Sequence, residues 1–455
     1  MLNLKEYSET PRLLADYLPW ACLVAPGVVL NKDGSFQTTF RYRGPDLESS
    51  TEEELVSVMA RVNNVLRRFG SGWALFFEAQ RDEVHDYPEC AFPNAASWLV
   101  DQERGLQAEE AGARYESSYY LTLLWLPPAD TTGRAEKALI ERADSEDAES
   151  WHHQLATFEQ HAARVFDLLA TCLAEIHRLS DDETLTYLHS TISTKRHAVV
   201  TPELPVFLDA ILADESFAGG LEPMIGDAHL RTLTILGFPA STLPGILDEL
   251  NRQGFSYRWA TRFIAMDKAE AEKVLGKKRR HWFAKRKSIG AVLRETMFNE
   301  QAALLDTDAD NKAGDADAAL QELGSDLVSY GYVTTTITVA HEDRRTVDEH
   351  IRIAERIING RGFTAIRETL NAVEAWLGSL PGHAYANVRQ PILHTLNLAH
   401  MVPLSAVWAG EAENHHFDAP ALIQAQTDGT TPFRLNLHVG DVGHTLVVGP
   451  TGAGK

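Results

Sequence analysis

Ser256-Tyr257-Arg258-Trp259-Ala260-Thr261-Arg262-Phe263-Ile264 is the stretch on which the fold turns. Polar and bulky residues alternate along it, the period of a β-strand with one face in a core and the other half-buried. Upstream, Leu230 to Leu236 reads as a strand and Thr242 to Asn251 as a short helix. Downstream, Asp267 with Glu270 makes a capping box that opens a long helix. Val333-Thr334-Thr335-Thr336-Ile337-Thr338-Val339 is a β-branched strand, Thr346 to Ile358 a helix, and Gly362 to Ile366 a strand or turn. This order predicts an α+β fold, an antiparallel sheet with helices on one face in the ferredoxin-like manner.

The first half repeats the element order more loosely, without a detectable sequence repeat. Gly27 to Leu30 and Phe36 to Phe40 flank Asn31-Lys32-Asp33-Gly34, a hairpin signal. Thr51 and Glu54 box the start of a helix carrying Leu55, Val58, Met59, Val62 and Leu66 at helical spacing. Strands follow at Trp73 to Phe77 and at Tyr119 to Leu126, the latter stopped by Pro127-Pro128. A long helix then places Trp151, Leu155, Phe158, Ala162, Val165, Leu169, Cys172, Ile176 and Leu179 on one stripe. His152, His153 and His161 accompany it, but no Cys or carboxylate stands at ligand spacing, so no metal site is expected there. Pro202, Pro205 and Gly219-Gly220 read as a linker. The expected division is 1–222, 223–400 and 401–455.

Composition narrows the function. The 455 residues carry a net charge of −22, which argues against a surface that coats nucleic acid generally. The three cysteines are too scattered for a disulfide framework or a metal-ligand pair and fit a reducing cytoplasm. The start lacks the basic-then-apolar pattern of a signal sequence. The most apolar run, Leu18 to Leu30, contains Pro19 and Pro26 and is too short to span a bilayer. Burial in the first sheet is the expected fate of that run, and any membrane association would be peripheral.

Against the acidic background stands Lys277-Lys278-Arg279-Arg280-His281-Trp282-Phe283-Ala284-Lys285-Arg286-Lys287. Helical spacing from Ala271 and Leu275 through Trp282 to Ile289 and Leu293 puts Lys278 and Lys285 on the apolar stripe, so the helix is expected to project past its sheet. Its exposed face is either simply solvated or a docking patch, made of Lys277, Lys278, Arg279, Arg280, Trp282, Lys285, Arg286 and Lys287. The partner would be a protein, an anionic lipid surface or DNA. The acidic run Asp306 to Asp317 departs from a calcium loop, because Asn311 replaces the turn glycine and Asp317 the bidentate glutamate; it reads as a linker.

The sequence closes on Leu446-Val447-Val448-Gly449-Pro450-Thr451-Gly452-Ala453-Gly454-Lys455, an apolar strand from His444 running into the phosphate-loop pattern G-x-x-x-x-G-K. In such a loop Gly449, Pro450, Thr451, Gly452, Ala453 and Gly454 line the phosphate site, all but Pro450 through their amides, and Lys455 supplies charge to the β and γ phosphates. The ligands implied are ATP and Mg2+. Position 456, where a Ser or Thr would hold the magnesium, lies beyond the sequence, as does the helix that would face the phosphates.

Read together, Gly378-Ser379-Leu380-Pro381-Gly382-His383-Ala384, Asn387 to Arg389, Thr395 to Leu404, Thr431 to His438, Asp441 to Thr445 and the terminal loop resemble the CagE/TrbE/VirB family of type IV secretion ATPases. The opening from Tyr17 to Tyr42 and the strand Tyr119 to Leu126 look most similar to its conjugal-transfer branch. The resemblance implies a cytoplasmic ATPase at the bacterial inner membrane, which powers pilus assembly or substrate transfer. It also implies an N-terminal region joined to a RecA-like motor, and rings of six subunits. On that reading this stretch docks to membrane components and to neighbouring subunits, and by itself does not hydrolyse ATP. The alternative is a portion of a RecA-like DNA translocase or helicase that touches DNA through the basic run.

Overall fold

The computed structural model describes residues 13–46, 49–84, 87–88, 91–92, 94–110, 112–128, 145–239, 241–286, 319, 321, 323–387, 389–427, 429–438 and 440–452. After α1 (Leu14–Tyr17), strands β1 (Trp20–Ala25), β2 (Val28–Asn31) and β3 (Phe36–Arg43) run antiparallel. The turn between β2 and β3 closes where Asn31 N–H donates to the Ser35 carbonyl at 2.8 Å, with Gly34 at φ 84°. Helix α2 (Glu52–Leu66) starts on the expected box: Glu54 N–H donates to Thr51 Oγ1, and Thr51 N–H to Glu54 Oε2 at 2.9 Å. There follow β4 (Trp73–Val84), α3 (Ala95–Glu110), β5 (Arg114–Trp125), α4 (Ser145–Ala170), β6 (Glu175–Arg178), α5 (Asp181–Ile192), α6 (Leu208–Leu212), β7 (Phe217–Ala218) and β8 (Met224–Ile225). The second half contains β9 (Ala228–Gly237), β10 (Tyr257–Ala265), α7 (Lys268–Arg286), β11 (Tyr330–His341), α8 (Arg344–Gly360), β12 (Thr364–Arg367), α9 (Ala372–Leu377), β13 (Ile392–His394) and α10 (Thr395–Met401). Two small hairpins, β14 (Glu413–Asn414) with β15 (Ala419–Pro420) and β16 (Ile423–Gln426) with β17 (Pro432–Leu435), come last.

One antiparallel sheet takes strands from both halves in the order β1-β2-β3-β5-β4-β10-β11-β9-β8-β7, with β6 on β3, β12 on β9 and β13 on β11. Within it β4-β5-β3-β6 and β10-β11-β9-β12 are the same spatial arrangement used twice, and the two meet where β4 pairs with β10. The fold is α+β. Helices α2, α4 and α8 lie on one face over a core that includes Phe36, Phe40, Leu75, Phe77, Phe158, Trp259, Phe263, Ile337 and Ile351. On α8, Val347, Ile351, Ala354 and Ile358 are buried at spacings of three and four, the helical stripe expected from the sequence. Leu18, Trp20, Val28, Val29 and Leu30 are buried, so that apolar run is spent on packing. No described helix is long and apolar enough to cross a membrane.

Several elements differ from expectation, each because a tertiary partner overrides local pattern. The long helix ends at Ala170; Ile176 lies on β6, whose backbone pairs with β3, and the periodic stripe merely continues by coincidence of spacing. The helix expected over Thr242 to Asn251 is reduced to a 3-10 turn at Asp248–Arg252. Asp267 and Glu270 both reach across to Ser71, whose N–H donates to Asp267 Oδ1 at 2.9 Å and whose hydroxyl donates to Glu270 Oε2 at 3.1 Å. Helix α5 is an addition to the expected elements, although Ser180 and Glu183 form a reciprocal box at its start. Finally, β10 is buried on both faces rather than half-buried. The acidic run 306–317 lies outside the described residues.

Candidate functional site

The second face of the sheet holds what the alternation in β10 concealed. Arg258 and Arg262 leave β10 on this side, and both are buried. Arg258 makes a two-pronged ion pair with Glu78 on the adjacent β4, Nε to Oε1 at 2.7 Å and Nη2 to Oε2 at 2.9 Å. It also donates to the carbonyls of Thr191 at 3.0 Å and Ser379 at 3.3 Å. Burial works against the Arg258 charge, but the Glu78 carboxylate outweighs it and holds the pKa above its ordinary value. Tyr187 donates to Glu78 Oε2 at 3.0 Å and Gln80 Nε2–H to Glu78 Oε1 at 2.9 Å, so the carboxylate is well partnered. Arg262 instead donates to the carbonyls of His383 at 2.9 Å and Ala386 at 2.7 Å and to Thr334 Oγ1 at 3.1 Å. Its pKa is lowered to about 10 by burial.

These arginines grip the Gly378 to Arg389 block. Trp20 Nε1–H donates to the Pro381 carbonyl at 2.7 Å, and Arg389 pairs with Glu368 at 3.2 Å. A side chain at Gly382 (φ 90°) would meet Gln37 at 2.3 Å, so only glycine lets this turn settle on the sheet. His383, enclosed by burial and the Arg262 charge, has its pKa lowered to about 4. Further along, Tyr42 donates to the Pro403 carbonyl at 2.8 Å, and Ala406 N–H to the Pro45 carbonyl at 3.1 Å. Arg81 then ties down the last hairpin, donating to the Gln253 carbonyl at 2.6 Å and to Thr430 Oγ1 at 2.8 Å. Arg434 pairs with Glu116 on β5. Between β3, β5 and the 406–415 connector lies a cleft of about 430 Å³, with the Arg43 guanidinium 4.9 Å from the Trp408 ring at its wall.

The terminal loop is described as far as Gly452; Ala453, Gly454 and Lys455 lie outside the described residues. Contrary to expectation, no strand forms over His444 to Val448. Leu446, Val447 and Val448 are 87%, 71% and 80% exposed, because no described strand lies alongside to pair with them. Gly452 takes φ 88°, with no atom near the position of a Cβ. That left-handed backbone is open to glycine and strained for other residues.

In the basic run, backbone helix continues to Arg286, while the side chains of Lys278, Arg279, Arg280, Trp282, Lys285 and Arg286, and all of Lys287, lie outside what is described. At the root of α7, Ala271 and Leu275 join Met266, Leu323, Val328 and Tyr330, and Lys277 is exposed. The histidines on α4 engage aromatic rings, His152 on Trp151 and His161 on Trp73.

Two family models match the chain. One, described as the N-terminal domain of the type IV secretion system ATPase VirB4/TrbE, covers residues 27–133; the other, described as the CagE, TrbE, VirB family, component of type IV transporter system, covers 283–389. The conjugal transfer protein TrbE of Rhizobium radiobacter is 36% identical over 484 residues, taking in 100% of this chain and 57% of its own length.

The chain belongs to the CagE, TrbE, VirB family.

The first match takes in the β2–β3 hairpin, α2, β4, α3 and β5, and the second runs from within the basic stretch of α7 through β11, α8, β12 and α9 to Arg389. The second match also takes in the Arg262-gripped turn, while β9 and β10 lie between the two. A type IV secretion system protein virB4 from Bartonella quintana, 22% identical, matches 97% of this chain and 55% of itself. One from Brucella suis, also 22% identical, matches 98% of this chain and 54% of itself. The chain spans a little over half the length of these relatives.

Proposed function

We propose that this chain is the front portion of a type IV secretion or conjugal transfer ATPase, and that its own work is docking. The observation that carries the reading is identity of 36% with a conjugal transfer protein along the whole chain. The sheet and the terminal loop support it. In this reading 1–222 and 223–400 each build a ferredoxin-like unit, and 401–455 opens a RecA-like motor domain whose strand at 444–448 pairs when the rest of that domain is present. The amides of Gly449 to Gly454 hold ATP phosphates, and Lys455 neutralises their charge; bound Mg2+ would add charge neutralisation at the same oxygens. Six subunits form the working assembly, at the cytoplasmic side of the inner membrane. The projecting basic helix, Lys277 to Lys287, docks onto an acidic secretion-system component.

The test uses donor cells whose only copy of the complete protein carries Lys455→Ala. Transfer is expected to fall to background while the variant accumulates normally and still co-purifies with the other secretion components. Wild-type transfer frequency would sink the motor reading; loss of co-purification in a variant with the seven cations of 277–287 exchanged for Gln, but not in Lys455→Ala, is the expected mark of docking through α7.

A further inference from the structure

The end of α5 and the loop beyond it bring together three ligating side chains that the proposed motor and docking roles leave unused. His189, in the last turn of α5, is 2% exposed. His197, in the extended segment that follows, has its ring 4.4 Å from that of His189. Asp214 lies just past α6, with Oδ1 3.1 Å from His189 Nε2. That approach is out of line for a hydrogen bond, and neither ring nitrogen of His189 has a hydrogen-bond partner among the described residues. One donor atom from each residue lies within 4.8 Å of the other two, a cluster drawn from three separate pieces of chain.

A buried imidazole with an idle lone pair is a costly arrangement that a cation at its ring nitrogen relieves. We infer that His189, His197 and Asp214 form a site for a divalent transition-metal ion, Zn2+ by the chemistry of two imidazoles and one carboxylate. Tetrahedral zinc with bonds of about 2.0–2.2 Å sets its ligand atoms roughly 3.3–3.5 Å apart. The 3.1 Å His189–Asp214 approach is slightly shorter than that spacing, and His197 and Asp214, both at exposed positions, adjust to it by side-chain rotation.

Two cations stand close by and are accounted for. Arg196 is engaged by Asp82 at 3.0 Å. Lys195 Nζ lies 3.3 Å from Asp214 Oδ2, the oxygen not facing His189, so it can keep that contact and orient the carboxylate toward the ion. Three protein ligands leave a fourth position for water, beside a cleft of about 410 Å³ whose lining includes His189, His197, Tyr187 and Asp182. The ion would staple the end of α5 to the loop that leads to β7, coupling metal occupancy to the stability of this face.

The 455-residue chain, stripped with a chelator and dialysed, is titrated with Zn2+ by calorimetry and with Co2+ by visible absorption. One Zn2+ per chain, intense tetrahedral Co2+ bands and a zinc-dependent rise in the thermal midpoint are expected. His197→Ala and Asp214→Ala should each weaken binding roughly tenfold or more and erase the Co2+ bands. His153→Ala, removing an exposed histidine elsewhere, should change nothing. Failure to bind one ion per chain, binding that survives both ligand substitutions, or an equal loss in His153→Ala overturns the site.

Discussion

Glu78 and Arg258 show how one residue pair sets the terms for a face of the sheet. Both are buried, and each finds its strongest partner in the other. Removing one charge strands its partner in a low-dielectric site, so Glu78→Gln is expected to cost about 3–5 kcal/mol. Replacing both with apolar residues of similar volume, Glu78→Leu with Arg258→Met, should recover most of that loss. Urea unfolding of the three proteins at neutral pH checks both statements. Asp248 is the opposite case, a carboxyl without a carboxylate's partner. Burial raises its pKa to about 7, against the smaller opposing influences of Ser405 and Arg252. The folded chain therefore keeps a proton that the unfolded chain releases above about pH 4. This contribution to stability is fully present below about pH 4 and is lost as pH rises through about 7. Asp248→Asn cannot ionise, so its stability relative to the parent should rise by on the order of 3–4 kcal/mol between about pH 4 and pH 8. Urea midpoints measured across that range check it; a pH-independent difference contradicts it.

Among the elements, β11 and α7 behave in contrasting ways. Strand β11 is buried along nearly its whole length, and Gly331 is the place where its backbone slides under Phe263 of β10. A Cβ there would stand 2.3 Å from the Phe263 ring and 2.5 Å from the Ile264 carbonyl. Because a backbone atom blocks the space as well as the ring, Gly331→Ala should destabilise by about 1–3 kcal/mol, read as a lowered thermal midpoint. At Gly276, on α7, no atom comes near the position of a Cβ. The root of that helix packs through Ala271, Val274 and Leu275. In the sequence, Lys278 and Lys285 interrupt the apolar stripe of α7, a local feature. Where α5 and the 378–387 turn lie on the sheet has no such local sign, because contacts with Glu78, Arg258 and Arg262 place them.

At the scale of the whole molecule, the decisive contact is β4 against β10. It joins the two repeated arrangements into one sheet, and residues from both share one core. Leu75 and Phe77 from the first half lie in that core with Trp259 and Phe263 from the second. The halves should therefore lose structure together: tryptophan fluorescence and far-UV circular dichroism are expected to trace a single coincident urea transition. Two separated transitions would show that the shared core is too weak to couple them. The same continuity gives the terminal segment a firm base, since Arg81, Tyr42 and Pro45 hold the 403–431 stretch against strands of the first half.

By itself the sequence determined whatever depends on neighbours along the chain. The hairpin at Asn31 to Gly34, the Thr51–Glu54 cap, the β-branched strand at Val333 to Val339 and the terminal glycine pattern are all local, and so are the blocks that carry the family resemblance. Tertiary structure alone decided that β10 is covered on both sides, that the stripe beyond Ala170 becomes β6, and that His189, His197 and Asp214 meet. The physical reason is separation: Arg258 and Glu78 are 180 positions apart. An arginine on an alternating strand looks solvent-facing until the carboxylate that neutralises it has been placed at its side.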